Sequence, residues 1–444
     1  MLWLALLAST LLPFPQATPQ TATPVRHPHQ PPAQVVTGAI ASARPAPPLR
    51  QLLDDHDWLG LEDALTHTKD PSASFYRGIL RNRQGRYAES ISLLEPLLPA
   101  LATGPNRVRE KRVRMALADD YFRTFQYQKA TAEYAALHRC CSAQLTPANR
   151  IAIEIPSKLL PELQSAPPQT LSFTGNFTIP TYRDPLDLNE VSVWVDRHAA
   201  SWLFDPAASF TMLTRSQAKL IGLHLSAATI IVDSITGSPI PVHATVIQRL
   251  KLGDAVFQNV PAVVCNDSDL YDRARQYQIQ GVFALPLIAA LGKVTITDNQ
   301  RLYFSQNRPL HVGAPFFSDG QRLIVAEGPA GADRLYAVNP GVVGSLLTVH
   351  YYRSHLADFH GERRDLLPVP GQEKPIAAYT AENIHLNFRG FPITLHEIEA
   401  FAQPTGLAID RYYGILGEDS LDQLRSYTFD FRTMRFVPLM HRGQ

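Results

Sequence analysis

The stretch SWLFDPAASFTMLTRSQAKLIGL, Ser201 to Leu223, puts a single carboxylate, Asp205, at the end of an apolar run, with small residues after it and an amphipathic segment beyond. A carboxylate placed this way can move a proton at a reacting centre, or it can cap the turn that follows the strand; for an isolated Asp-Pro the cap is the ordinary reading. A second stretch of the same form, LYAVNPGVVGSLLTVH, brings Asn339 to the matching place. An amide donates and accepts hydrogen bonds but cannot take up a proton from water at useful pH. The two positions therefore do not offer the same chemistry.

Other constellations are weaker. His350, His355 and His360 recur in YYRSHLADFHGERR with Asp358 and Glu362 nearby, but no ligand-rich partner motif follows, so exposed polar decoration is favoured over a metal site. The segment EGPAGADR carries Gly328 and Gly331 without the Lys-Ser/Thr ending of a phosphate loop and reads as a turn. No Gly-x-Ser-x-Gly turn occurs. The three cysteines, Cys140, Cys141 and Cys265, suit neither a disulfide framework nor a metal cage, and buried free thiols are expected. No cofactor and no metal is expected.

The elements that must position these residues fall into blocks. The opening MLWLALLASTLLPF is an apolar core too short to span a bilayer comfortably, followed by small residues, and reads as a secretory signal over residues 1–24. It lacks a basic flank, so an uncleaved anchor is the alternative. Residues 25–48, rich in Pro, Ala, Thr and Gln, read as a tether. A net charge of +1 on 444 residues gives no electrostatic basis for binding nucleic acid, and no other stretch could span a membrane. Residues 49–166 carry helical periodicity in FYRGILRNRQGRYAESISLLEPLL and RMALADDYFRTFQYQKATAEYAAL. Gly85, Tyr87 and Ser90 stand in the first where Phe125, Tyr127 and Ala130 stand in the second, an offset of about 40 residues. A plain helical spacer is the alternative to a repeat.

After PPQTLSF, short β-rich runs separated by Gly, Pro, Asn and Asp predict strands to the end of the sequence. Two blocks align. The first runs from Phe204-Asp205-Pro206-Ala207-Ala208-Ser209 to Gly281-Val282-Phe283-Ala284-Leu285 and the strand Lys293–Thr297. The second runs from Leu335–Gly341 to Tyr413-Gly414-Ile415-Leu416-Gly417-Glu418-Asp419 and the strand Ser426–Phe431. This duplication predicts two similar β lobes, residues 167–310 and 311–444.

The helical repeats resemble tetratricopeptide repeats, and the paired blocks resemble retropepsin-like aspartic peptidases, with an Asp-Thr-Gly-Ala-Ser turn after a hydrophobic strand, a flap hairpin and a hydrophobic-hydrophobic-Gly element behind the site. Two such lobes in one chain imitate a pepsin-like bilobal body. The resemblance implies one catalytic aspartate per lobe, the pair sharing one proton because like charges about 3 Å apart cannot both ionise. Asp205 fills the first position and Asn339 the second. It implies substrate contacts at Ser209, at Thr236 and Gly237 in the flap Ile231–Ile240, and at Gly341. The counterpart flap is sought near Val369–Ala377. Pro206 and Pro340 replace the family's Thr, Ala207 its first Gly, and Ala284 a Gly of the later element. These departures together predict an exported, periplasmic or extracellular pseudopeptidase that holds an extended polypeptide between its lobes and recruits a protein partner through its helices. The alternatives are an active aspartic endopeptidase using Asp205, its partner supplied by a second molecule, and a helical scaffold for protein–protein interaction.

Overall fold

The computed structural model of the protein describes residues 48–145, 147–233, 239–319, 322–329, 333–340, 344–359, 364–367, 375–405 and 408–441. The proposed leader and most of the tether, together with Thr236, Gly237, Gly341 and most of the second flap segment, lie outside them. An all-helical region comes first and a mainly β region follows, as expected.

The helices are α1 (Leu49–Asp54), α2 (Trp58–His67), α3 (Ala73–Arg83), α4 (Tyr87–Leu94), α5 (Leu98–Thr103), α6 (Arg107–Arg123), α7 (Tyr127–Cys141) and α8 (Pro147–Leu163). The aligned segments become two helical hairpins, α3–α4 and α6–α7. Each turns on a residue of positive φ, Gly85 at 68° and Phe125 at 62°, before a tyrosine opens the next helix. Ser90 and Ala130 are wholly buried, the small residues that close helix approach requires. At Gly78 a Cβ would lie 2.4 Å from Leu94 Cδ2, so α3 and α4 touch through the missing side chain. Asp120 of α6 ties the hairpins together by accepting from Asn82 Nδ2 at 2.8 Å and Ser90 Oγ at 2.6 Å. The helix α7 departs from helical backbone at Cys141, with φ of −133°, and Cys140 and Cys141 are joined there by a disulfide rather than being free thiols. Cys265 is the buried free thiol.

The two aligned blocks fold alike. In the first lobe the strand His198–Asp205 runs parallel to Gly281–Ala284, which is antiparallel to Thr211–Thr214. In the second, Arg334–Val338 runs parallel to Gly414–Leu416, which is antiparallel to Leu346–Leu347. Thr211–Thr214 and Leu346–Leu347 each then pair in parallel with the second strand of a long hairpin, Ala255–Cys265 and Pro392–Phe401. A short helix follows in each copy, capped by the hydroxyl of Thr214 in one and Thr348 in the other. The first ends at Gly222, whose φ of 78° suits the left-handed closing position.

The lobes meet in a sheet whose strands run in the order Asn176–Pro180, Arg301–Ser305, Lys293–Thr297, Ser426–Asp430, Arg435–Leu439 and Ala314–Asp319. Its two middle strands, one from each lobe, are antiparallel with Thr295 opposite Thr428. The two hydroxyls are 2.8 Å apart, and a pseudo-twofold axis passes between them. One apolar core runs through both lobes beneath this sheet, from Trp202 and Phe204 to Tyr336 and Phe436.

Candidate functional site

Asp205 ends its strand directly opposite Ala284, and the turn Pro206–Ser209 folds back over it. Its Oδ1 accepts the N–H of Ala207 at 2.8 Å, and its carbonyl accepts the N–H of Ala208 at 3.2 Å. Only 3% of Asp205 is exposed. Burial pushes its carboxyl up to about 6 against the stabilising N–H groups of Ala207 and Ala208. Ser209 Oγ is buried without a hydrogen-bond partner.

The equivalent site of the second lobe holds Asn339, one residue past the register pair Val338 and Leu416. Its N–H donates to the Leu416 carbonyl at 2.9 Å, and it is 2% exposed. Ala284 and Gly417 have nearly the same extended backbone, φ of −91° and −92°, so the alanine in the first lobe needs no glycine-only conformation. The true close approaches are three residues earlier. A Cβ on Gly281 would lie 2.7 Å from the Trp202 indole, and one on Gly414 would lie 2.7 Å from the Leu346 carbonyl oxygen.

Because successive strand residues face opposite ways, Asp205 lies on the face of Leu203 and not on that of Phe204. Phe204 stacks on Phe283 in the core of the lobe. Leu203, Ala208, Phe210, Met212 and Val282 instead join a core that continues into the helical region through Phe122, Tyr127, Leu159 and Leu160. The rings of Phe122 and Phe210 are 5.5 Å apart, and α8 packs on the strands Ile230–Asp233 and Pro239–Leu252. The helices thus form a layer over the half of the site that carries Asp205.

A second polar cluster joins the lobes beside the turn that precedes Asn189. Arg183 reaches Glu418 at 2.7 Å and also pairs with Asp422, and Asn189 Nδ2 donates to Glu418 Oε1 at 2.5 Å. Burial drives the Glu418 carboxyl up to about 8, with Asp422 adding to the rise and Arg183 opposing it. Glu190, on the Leu203 face, accepts from Ser201 Oγ and Tyr277 Oη, each at 2.5 Å. None of these residues carries a motif, which is why the sequence did not single them out.

The histidine group does not assemble into a metal site among the described residues. His355 stacks on Tyr351 at 4.1 Å and meets Arg334 at 3.0 Å, and His350 lies against Tyr413. The one described group of ligand-type side chains, Glu110 with Cys140 and Cys141, is committed otherwise: the cysteines are bonded together, and Glu110 pairs with Arg107 and Arg114. No helix among the described residues is long and apolar enough to cross a membrane.

Residues 191–286 match the family model described as aspartyl protease. The match covers the strand that ends in Asp205, the turn after it and the strand opposite. It supports an aspartic-peptidase-like nature for the first lobe. No curated protein matches the chain. Solved structures similar to it include basic 7S globulin from soybean, at 12% identity and a TM-score of 0.37, over 60% of this chain and 95% of that one.

Proposed function

We propose that the protein is a catalytically impaired, retropepsin-like pseudopeptidase that binds an extended polypeptide between its lobes, with tetratricopeptide-like helices that also recruit a protein partner. The observation that carries the reading is Asn339, in the register position that Asp205 occupies in the other lobe. With one carboxylate and one amide, the site lacks a second group able to exchange a proton with water. A two-molecule version of the active site is disfavoured by the strand pairing. The edge Lys293–Thr297, through which another first lobe would have to pair, is filled by Ser426–Asp430 of the same chain. Binding by strand addition has a candidate edge in Ile230–Asp233, the end strand of its sheet, where Ile231 is exposed. Export to the periplasm or the exterior is part of the proposal and rests on the apolar leader.

The test is digestion of a mixed peptide library by the full chain from acid to neutral pH, beside Asp205→Ala. No cleavage by either protein, with some library peptides retained by both, is the expected result. Cleavage by the native chain that vanishes in Asp205→Ala would make Asp205 catalytic and end the proposal.

A further inference from the structure

The pseudo-twofold axis lets each lobe serve as the control for the other. Met212 and Val282, on the Asp205 face, correspond to Leu346 and Ile415 on the Asn339 face. Met212 and Val282 are buried in the core shared with the helices, whereas Leu346 and Ile415 are only partly buried and touch small local clusters. The second lobe buries Ala337 and Asn339 among its own residues but leaves Leu346 and Ile415 partly open, whereas the helical layer completes the cover over Met212 and Val282.

Besides the packing of α8 on the strands Ile230–Asp233 and Pro239–Leu252, the layer is held at two places of different character. Its apolar seat is Phe122 on Phe210. Its polar tie is Asp319 of the second lobe, which faces His56 at 3.6 Å and Arg83 at 3.8 Å from the helices, and Arg411 at 3.5 Å and the Tyr412 hydroxyl from its own lobe. Between seat and tie the packing is incomplete. A pocket of about 310 Å³, partly open to solvent, lies where the turns at Gly85 and Phe125 meet Phe210, Pro286, Phe316 and Met434. The surfaces that line it are separated rather than packed together, which weakens the hold of the layer there. The related junction across the axis has no helical layer among the described residues and is bridged instead by Arg183 and Glu418.

We infer that the helical layer is a resident, displaceable occupant of the Asp205 face, seated by Phe122 and tied through Arg83 to Asp319, and that a polypeptide reaches this face only when the layer lifts. This rests on the polypeptide-binding reading only for what replaces the layer. The competing segment must present an apolar or aromatic side chain to Phe210 where Phe122 now sits. Retention of peptide by the native chain is then reduced in proportion to the small open fraction.

Two full-chain variants, Arg83→Ala and Phe122→Ala, test the cover by amide hydrogen exchange, with peptide retention measured in parallel. Arg83→Ala leaves Asp319 its partners Arg411 and Tyr412, and Phe122→Ala leaves the Asp319 tie intact. Exchange in 203–214 is expected to speed up about tenfold in either variant while 293–297 keeps its native protection, with library peptides retained more strongly by a similar factor. Unchanged exchange in 203–214 in both variants, each still folded by circular dichroism, overturns the inference. Equal acceleration in 203–214 and 293–297 also overturns it, because it would report loosening of the whole β region. Faster exchange confined to 203–214 without added peptide retention supports the cover and ends the polypeptide-binding reading instead.

Discussion

Replacing Asp205 by Asn should stabilise the protein at neutral pH, and the size of the gain follows from the burial of the carboxyl. The group is 3% exposed and titrates near 6 in the fold, against 3.8 for an ordinary aspartate. Well below pH 3.8 the acid is neutral in both the folded and unfolded chain, and the charge makes no difference. Between these two values the folded chain holds the proton more tightly than the unfolded one, so stability falls as pH rises. Above about pH 6 the loss is complete, at roughly 3 kcal/mol. An asparagine at 205 carries no such penalty, and its amide oxygen can still accept the Ala207 N–H now held at 2.8 Å. The difference in unfolding free energy between Asp205→Asn and the native chain should therefore be small at pH 4 and reach about 2–3 kcal/mol at pH 7. Urea unfolding followed by tryptophan emission, repeated from pH 4 to pH 7, reads it directly. Other buried carboxyls cancel in the difference. A gap that stays flat across that range, or a variant less stable at pH 7, would refute the account of Asp205 as a buried, costly carboxylate. The second lobe has an asparagine, Asn339, in the equivalent place.

Three further outcomes follow from contacts within and between the lobes. Arg183→Ala removes the cation that holds down the rise of Glu418, a carboxyl 2% exposed and already pushed up to about 8, so it should cost only about 1–3 kcal/mol at pH 7 and more above about pH 8, where the native carboxyl ionises; adding Glu418→Gln should remove that extra loss at high pH in the same unfolding assay. Gly281→Ala forces a Cβ to 2.7 Å from the Trp202 ring and 2.8 Å from the Met212 carbonyl oxygen, and should lower stability by about 1–3 kcal/mol with a change in near-ultraviolet circular dichroism. At the axis, Thr295→Val alone should cost about 1 kcal/mol, and the double change with Thr428→Val should cost less than twice that, because no hydroxyl is then left without its partner.

The parts of this fold that the sequence carries openly are those written as local pattern. The strand ending at Asp205, the one ending beside Asn339 and the two strands opposite them alternate or run apolar between turn residues, and their order repeats, so two like lobes follow. The helical hairpins are legible in the same way, through Gly85 and Phe125 at matching turns. Parity along the strand places Asp205 with Leu203, but parity cannot say what covers Leu203. Whether that face meets water or Phe122 depends on contacts between segments far apart in the chain, and Phe122 has no special signature within a helix whose other apolar residues line the same hairpin. The Arg183–Glu418 contact is hidden for a similar reason, since a lone arginine and a lone glutamate resemble any solvated pair until the fold buries one of them. The adjacent cysteines misled because adjacency is rare in disulfide frameworks, yet a helix end at Cys141 brings the two sulfur atoms together.

The shared strand pair at Thr295 and Thr428 has an evolutionary consequence. When two identical subunits build one site, a codon change alters both halves at once, and losing one carboxylate means losing both. Here the halves are consecutive stretches of a single polypeptide, joined edge to edge by Lys293–Thr297 and Ser426–Asp430. Each half could change alone. That independence accommodates an aspartate at 205 beside an asparagine at 339, and a helical layer that covers Met212 and Val282 while Leu346 and Ile415 stay partly open.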